Sequence, residues 1–175
     1  MTRHIRDILT LAGFLFAATL LSGCKGCAQE DDEAKIRALI EKGRTLSEEH
    51  DVKGVMDLAT KDFTAVPQGM TRQEVSVTLL MAFRKYEDFT IHFPRPSVTV
   101  EPSKTEAQAN ITFIVVRRGE AVPDLGSLVD DPQTWLAKAS KIADPYELKL
   151  WLVKEDGEWK ANRAQLSGMR SLEDL

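Results

Sequence analysis

Cysteine and histidine are scarce in this chain, and their scarcity excludes several chemistries at once. The 175 residues include two cysteines and three histidines. Cys24 and Cys27 alone cannot build a disulfide framework, and no zinc ligand set can be assembled around them. His50 sits in the run Glu48-Glu49-His50-Asp51 with no second histidine at ligand spacing, so no metal site is expected. Basic residues are outnumbered, 23 to 27, and form no cluster with interleaved aromatics, which argues against nucleic acid as a partner. There is no G-x-S-x-G elbow, phosphate loop or dinucleotide fingerprint, and no cofactor is expected. Internal repeats and low-complexity stretches are also missing.

What is present begins with an export pattern. Arg3 and Arg6 precede an uncharged run of 14 residues, Ile8 to Leu21, and small residues then lead into Cys24. Positive, apolar and small-residue regions in that order are the layout of a secretory signal peptide. The run falls short of the roughly 20 apolar residues that span a bilayer core. Leu21-Ser22-Gly23-Cys24 resembles the lipobox of bacterial lipoproteins. That resemblance implies cleavage before Cys24, a diacylglyceryl group on its thiol, and a lipid anchor to the cell envelope. Aspartate after the cysteine marks inner-membrane retention in Gram-negative lipoproteins, and here the residue is Lys25. The resemblance therefore favours an outer membrane, facing the periplasm, if the source is Gram-negative. Two acyl chains hold a protein stably, whereas one binds only reversibly.

Cleavage would take Arg3, Arg6 and Asp7 out of the counts and leave 21 basic against 26 acidic residues. That balance gives no reason to expect electrostatic attachment to anionic lipid. The expected organisation is a signal peptide over 1–23, a lipidated polar tether over 24–32 and a single domain over 33–175. Cys27, without a partner in the chain, reads either as an intermolecular bridge or free thiol, or as a tether residue without chemistry.

Apolar spacing predicts a helix from about Glu33 to His50, with Ile36, Leu39, Ile40, Gly43, Leu46 and His50 on one face. Asp51 reads as the N-cap of a shorter helix carrying Val52, Val55, Met56 and Ala59, although Gly54 weakens it. Lys61 to Thr64 leads to a turn at Pro67-Gln68-Gly69. Thr71 and Glu74 form a capping box for a third helix, whose Val75, Leu79, Phe83 and Tyr86 are widened by Val77, Leu80 and Met81. So broad an apolar surface predicts burial on more than one side. The period then becomes two. Strands are expected at Phe89-Ile91-Phe93, bent at Pro94 and Pro96 before Val98 and Val100, then at Ala107 to Val115 and Tyr146 to Leu152. Asp156-Gly157 is a hairpin turn leading into Trp159. Helices followed by an antiparallel meander define an α+β domain.

The order of helices, the Asp62-Phe63 segment before a capped helix, and the closing Trp151-to-Lys160 hairpin resemble the nuclear transport factor 2-like superfamily and its SnoaL-like group. The resemblance covers about residues 33–167 and implies a cone in which a curved antiparallel sheet wraps about three N-terminal helices. Glu120 to Asp144 departs from the pattern as an insertion before the last hairpin. It carries an expected extra helix capped by Asp131, with Pro132 at its first position and Trp135, Leu136, Ala139 and Ile142 on one face.

A two-residue turn at Asp156-Gly157 would set Leu152 opposite Ala161, Leu150 opposite Arg163 and Leu148 opposite Gln165. Arg163 and Gln165 would then point into the cone, with Tyr146 near its rim, as candidate ligand-binding residues. The resemblance implies small-molecule use of that space. Arg163 has a second reading, as an arginine paired with a helix carboxylate or reaching solvent past the hairpin. His92 falls on the face opposite Phe89, Ile91 and Phe93 and is expected to meet solvent, and His50 suits a helix C-terminus, where its partial charge meets the dipole. No catalytic residue can be assigned. The expectation is a membrane-anchored envelope lipoprotein with a non-catalytic binding or interaction domain; an isomerase, dehydratase or hydrolase is the alternative. A homodimer or an envelope protein partner would use the outer sheet face around Trp151 and Val153.

Overall fold

The computed structural model describes residues 25–86, 88–119 and 129–168, with side chains from Asp32 onward. The expected signal peptide, Cys24 and residues 120–128 of the insertion lie outside the described residues. Helix α1 runs Lys25–Glu48, so the stretch expected as a flexible tether is helical from Lys25. Two interactions tie that early part of the helix to the sheet. Asp32 accepts a hydrogen bond from Lys154 Nζ at 2.6 Å and another from Trp159 Nε1 at 3.2 Å.

A Schellman motif ends α1: the N–H of Asp51 donates to Leu46 and that of His50 to Ser47, with His50 left-handed at φ 59°. Helix α2, Val52–Asp57, follows with Asp51 as its N-cap, donor Gly54 N at 2.9 Å. Gly54 is required there. A Cβ at that position would collide with the Asp51 carboxylate and with Leu46 Cδ2. Strand β1, Ala59–Val66, and the short β2, Met70–Thr71, lead into α3, Arg72–Tyr86. The capping box is formed as expected, with Glu74 accepting from Thr71 N at 2.7 Å.

Strands β3, Phe89–His92, and β4, Ser97–Val100, both pair with β5, Glu106–Arg117; α4, Pro132–Ala139, precedes the hairpin of β6, Tyr146–Glu155, and β7, Glu158–Gly168. The sheet order is β2-β1-β7-β6-β5-β3, with β4 also on β5. One pair departs from the expected meander: β1 runs parallel to β7, so the curved sheet is mixed rather than wholly antiparallel. Strand β1 leaves no alternation of two in the sequence, because Ala59 and Thr60 are both buried and Lys61 and Asp62 both exposed.

Three apolar clusters hold these layers. Ile36 and Ile40 of α1 pack on Val100, Ala107, Ala109, Ile111, Leu152 and Trp159 of the sheet. Met56 of α2 meets Ala59, Phe63 and Ala161, with Val75 and Leu79 of α3 packed against them. On the opposite face of β5, Ile114 and Val116 are covered by Trp135 and Ala139 of α4, the expected extra helix. Burial along β5 thus changes sides between Ile111 and Ile114, because α1 covers one half of the strand and α4 the other. The breadth of α3 does not translate into burial. Val77, Leu80 and Met81 are 46, 42 and 65% exposed.

Candidate functional site

The inner face of the sheet follows from the strand pairings. Ala107, Ala109, Ile111 and Phe113 of β5 lie opposite Leu152, Leu150, Leu148 and Tyr146 of β6. Across the hairpin, Leu152 pairs with Ala161 as expected. The register then shifts by one residue between Trp151 and Leu152, so Leu150 pairs with Ala164 and Leu148 with Leu166. This bulge corrects the expected positions of Arg163 and Gln165. They pair with Trp151 and Lys149 and stand on the outer face, away from the cone. The Arg163 guanidinium lies 4.3 Å from the Trp151 ring centroid, and Lys149 Nζ lies 5.0 Å from it. A cation–π arrangement therefore replaces the expected contact with a ligand inside the cone.

Of the three candidate ligand residues, only Tyr146 stays on the inner face. Its ring stacks on Phe113 with centroids 5.5 Å apart. Burial raises the hydroxyl pKa above its ordinary value, and neighbouring Tyr86 and Asp144 push it the same way. At neutral pH the hydroxyl is a hydrogen-bond donor. It is the one polar side-chain group among the inner-facing positions of β5 and β6 just named. Those strands bring no carboxylate and no imidazole to it.

A second polar region lies at the rim. Glu33, Arg37, Glu41, Arg44 and Glu48 recur every three or four residues along α1 with alternating sign, and ion pairs join Arg37 to Glu33 and Arg44 to both Glu41 and Glu48. Glu48 also accepts from the backbone N–H of Ile91 at 2.7 Å, which satisfies a donor on the edge strand β3. Beside this stripe is a cavity of about 190 Å³, lined by Glu41, Arg44, Ile91, His92, Phe93 and Trp135 among others. A second, of about 310 Å³, shares Glu41 and Phe93 and extends along Arg37, Arg95 and the Pro94–Pro96 bend. The stripe was legible in the sequence as a repeat of opposite charges, but its spacing alone does not say what faces it.

His92 is half-buried in this rim, its Nε2 3.0 Å from Thr90 Oγ1. It does lie on the face opposite Ile91, as the alternation implied, but α4 covers that face. Burial lowers its pKa; Glu48 acts against the shift and Arg44 with it. The remaining histidine with a defined setting is His50. Its ring stacks on both Phe83 and Phe89 with centroids 5.2 Å away, and those two rings lie 5.8 Å from each other, so the three form a triangular cluster. Among the described residues its buried Nε2 has no hydrogen-bond partner. Nor does any group of His, Cys, Asp and Glu there come close enough to hold a metal ion. No described helix is long and apolar enough to cross a membrane.

Helices packed on a curved, unclosed mixed sheet define the nuclear transport factor 2-like, cystatin-like fold. Solved structures share it. A protein of unknown function with a cystatin-like fold from Nostoc punctiforme matches with a TM-score of 0.59 at 14% identity, over 82% of this chain and 95% of that one. A nuclear transport factor 2-like protein from Novosphingobium aromaticivorans matches with a TM-score of 0.58 at 16% identity, over 84% and 88%. A protein provisionally assigned as a scytalone dehydratase, from the same organism, matches with a TM-score of 0.59 at 16% identity, over 82% and 88%. At these identities the likeness is one of fold. No family model matches the sequence, and no curated protein matches it either.

Proposed function

We propose that the chain is an envelope lipoprotein, anchored through lipid on Cys24, whose cone domain binds an apolar small molecule without transforming it. The observation behind this reading is the end of the inner wall of β5 and β6 beyond the part packed under Ile36 and Ile40, where Phe113, Leu148 and Tyr146 are only partly buried and the Tyr146 hydroxyl is the one polar side-chain group. Such a wall favours a ring or chain compound with one hydrogen-bond acceptor, and it supplies no acid–base pair for catalysis. The fluorescent apolar probe N-phenyl-1-naphthylamine, titrated into the full chain, tests it. Binding should weaken about fivefold in Tyr146→Phe, the effect of one lost hydrogen bond, and should be unchanged in Met81→Glu on the exposed face of α3. Absence of binding, or loss only in Met81→Glu, would overturn the reading.

The rim supports a second reading, as a small-molecule enzyme. There the neutral imidazole of His92 faces a cavity that also holds the Glu41 carboxylate and the Arg44 guanidinium. A basic imidazole beside a cation is a starting point for proton abstraction. This reading requires that a reaction found for the protein be lost in His92→Ala while probe binding in the cone persists. Turnover that survives His92→Ala would remove it.

A further inference from the structure

The outer surface of α3 is apolar in its middle and oppositely charged at its ends. Glu74, Val77, Met81 and Arg84 follow at steps of three, four and three residues and form one stripe along the helix, with Leu80 beside it. This stripe points away from the protein. Val75, Leu79 and Phe83 take the other side, Val75 and Leu79 against the cluster of Met56 and Phe63 and Phe83 against His50 and Phe89. The middle of the stripe is the most exposed apolar part of the helix, with Met81 65% accessible.

We infer that this stripe is a contact between two copies of the chain, with α3 packed antiparallel on its counterpart about a twofold axis near Leu79. The positions are self-complementary about that point. Val77 falls opposite the second copy's Met81, and Glu74 opposite the second copy's Arg84, so within the stripe apolar meets apolar and each charge its opposite, while Leu80 borders the contact level with the second copy's Thr78. A twofold contact demands that pairing, because the same patch must serve both partners. The alternative, that the end charges only answer the helix dipole and cap, explains Glu74 and Arg84 but leaves Val77, Leu80 and Met81 in water. Glu74 keeps lone pairs beyond its bonds to Thr71, so capping and pairing are compatible. A single helix pair makes a small interface, and the association is accordingly weak, in roughly the micromolar range. It is distinct from the outer sheet face. There the Trp151 ring carries both Lys149 and Arg163 against it, and neither Trp151 nor Val153 is among the exposed large apolar residues.

The test uses the full chain in cell membranes, expressed as two differently tagged copies with Thr78→p-benzoylphenylalanine beside the axis. Ultraviolet light should cross-link one tag to the other. Met81→Glu should lower the yield about tenfold or more, since it removes buried apolar area from both protomers and inserts two carboxylates. Trp151→Glu should leave it unchanged. Glu74→Arg and Arg84→Glu should each lower the yield by placing like charges together. Their co-expression should restore it, because each variant then complements the other. The proposal fails if position 78 never cross-links the two tags, or if Trp151→Glu rather than Met81→Glu abolishes the product. It also fails if the co-expressed charge variants stay as low as either alone. Circular dichroism of every purified variant separates loss of contact from loss of fold.

Discussion

Asp32 lies in an acidic run that composition would leave in solvent, yet it is 4% exposed and serves two donors from the far end of the chain. A carboxylate removed from water must be compensated, and Lys154 with the Trp159 indole does so. Asp32→Ala would leave both donors without their acceptor and should destabilise the protein by about 2 kcal/mol in urea unfolding at pH 7. The hydrogen bond from Lys154 holds the Asp32 carboxyl below the usual carboxylate range, against the opposing effect of burial. The folded protein therefore binds this proton less readily than the unfolded chain. Its contribution is present above the unfolded value, about 3.9, and is lost as pH falls through the depressed folded value. The difference between wild type and Asp32→Ala should hold from pH 7 to about 5 and shrink below pH 4. A difference that persists unchanged at low pH would show that the contact is apolar rather than ionic. None of this was legible in the sequence. In the run Glu30-Asp31-Asp32-Glu33 nothing in the sequence sets Asp32 apart, and its partners lie 122 and 127 residues away.

Helix α4 illustrates how an element can be read correctly while its role stays hidden. Asp131, Pro132 and the apolar face of Trp135 and Ala139 announced the helix, because caps and local spacing are written within a few residues. The surface it would cover was not announced, since β5 keeps its alternation while the covering layer changes from α1 to α4. Trp135 is 1% exposed against Ile114 and Val116. Trp135→Ala should destabilise the fold by about 3 to 5 kcal/mol, measured by thermal or urea unfolding. A small loss would mean that α4 packs only loosely on β5. The last hairpin gives the complementary lesson. Asp156 and Gly157, at φ 50° and 85°, fixed the turn and the pairing of Leu152 with Ala161 as expected. The extra residue at Asn162 then turned Arg163 and Gln165 outward. A bulge costs the ladder one pairing and leaves no mark in a run such as Ala161-Asn162-Arg163-Ala164, so the candidate ligand set could not have been read from alternation.

At the scale of the molecule, the order of elements carried the fold, whereas the site depended on register and on contacts distant in sequence. Helix α1 connects the two. It is described from Lys25 onward, and Asp32 already belongs to the packed body. A lipid on Cys24 would then be joined to the domain through about two helical turns, at 3.6 residues each, rather than through a loose linker. This would hold α1 and its charged stripe close to the bilayer. Two or more acyl chains are needed for stable attachment, which a modified Cys24 would supply and an apolar protein surface alone would not. Cells fed an alkyne fatty acid should label the wild type and not Cys24→Ala, and only the wild type should sediment with membranes after a high-salt wash. Cys27→Ala should keep the label, since only Cys24 follows the run Leu21-Ser22-Gly23. Label on neither protein would overturn the lipid anchor. Label on both would move the modification away from Cys24.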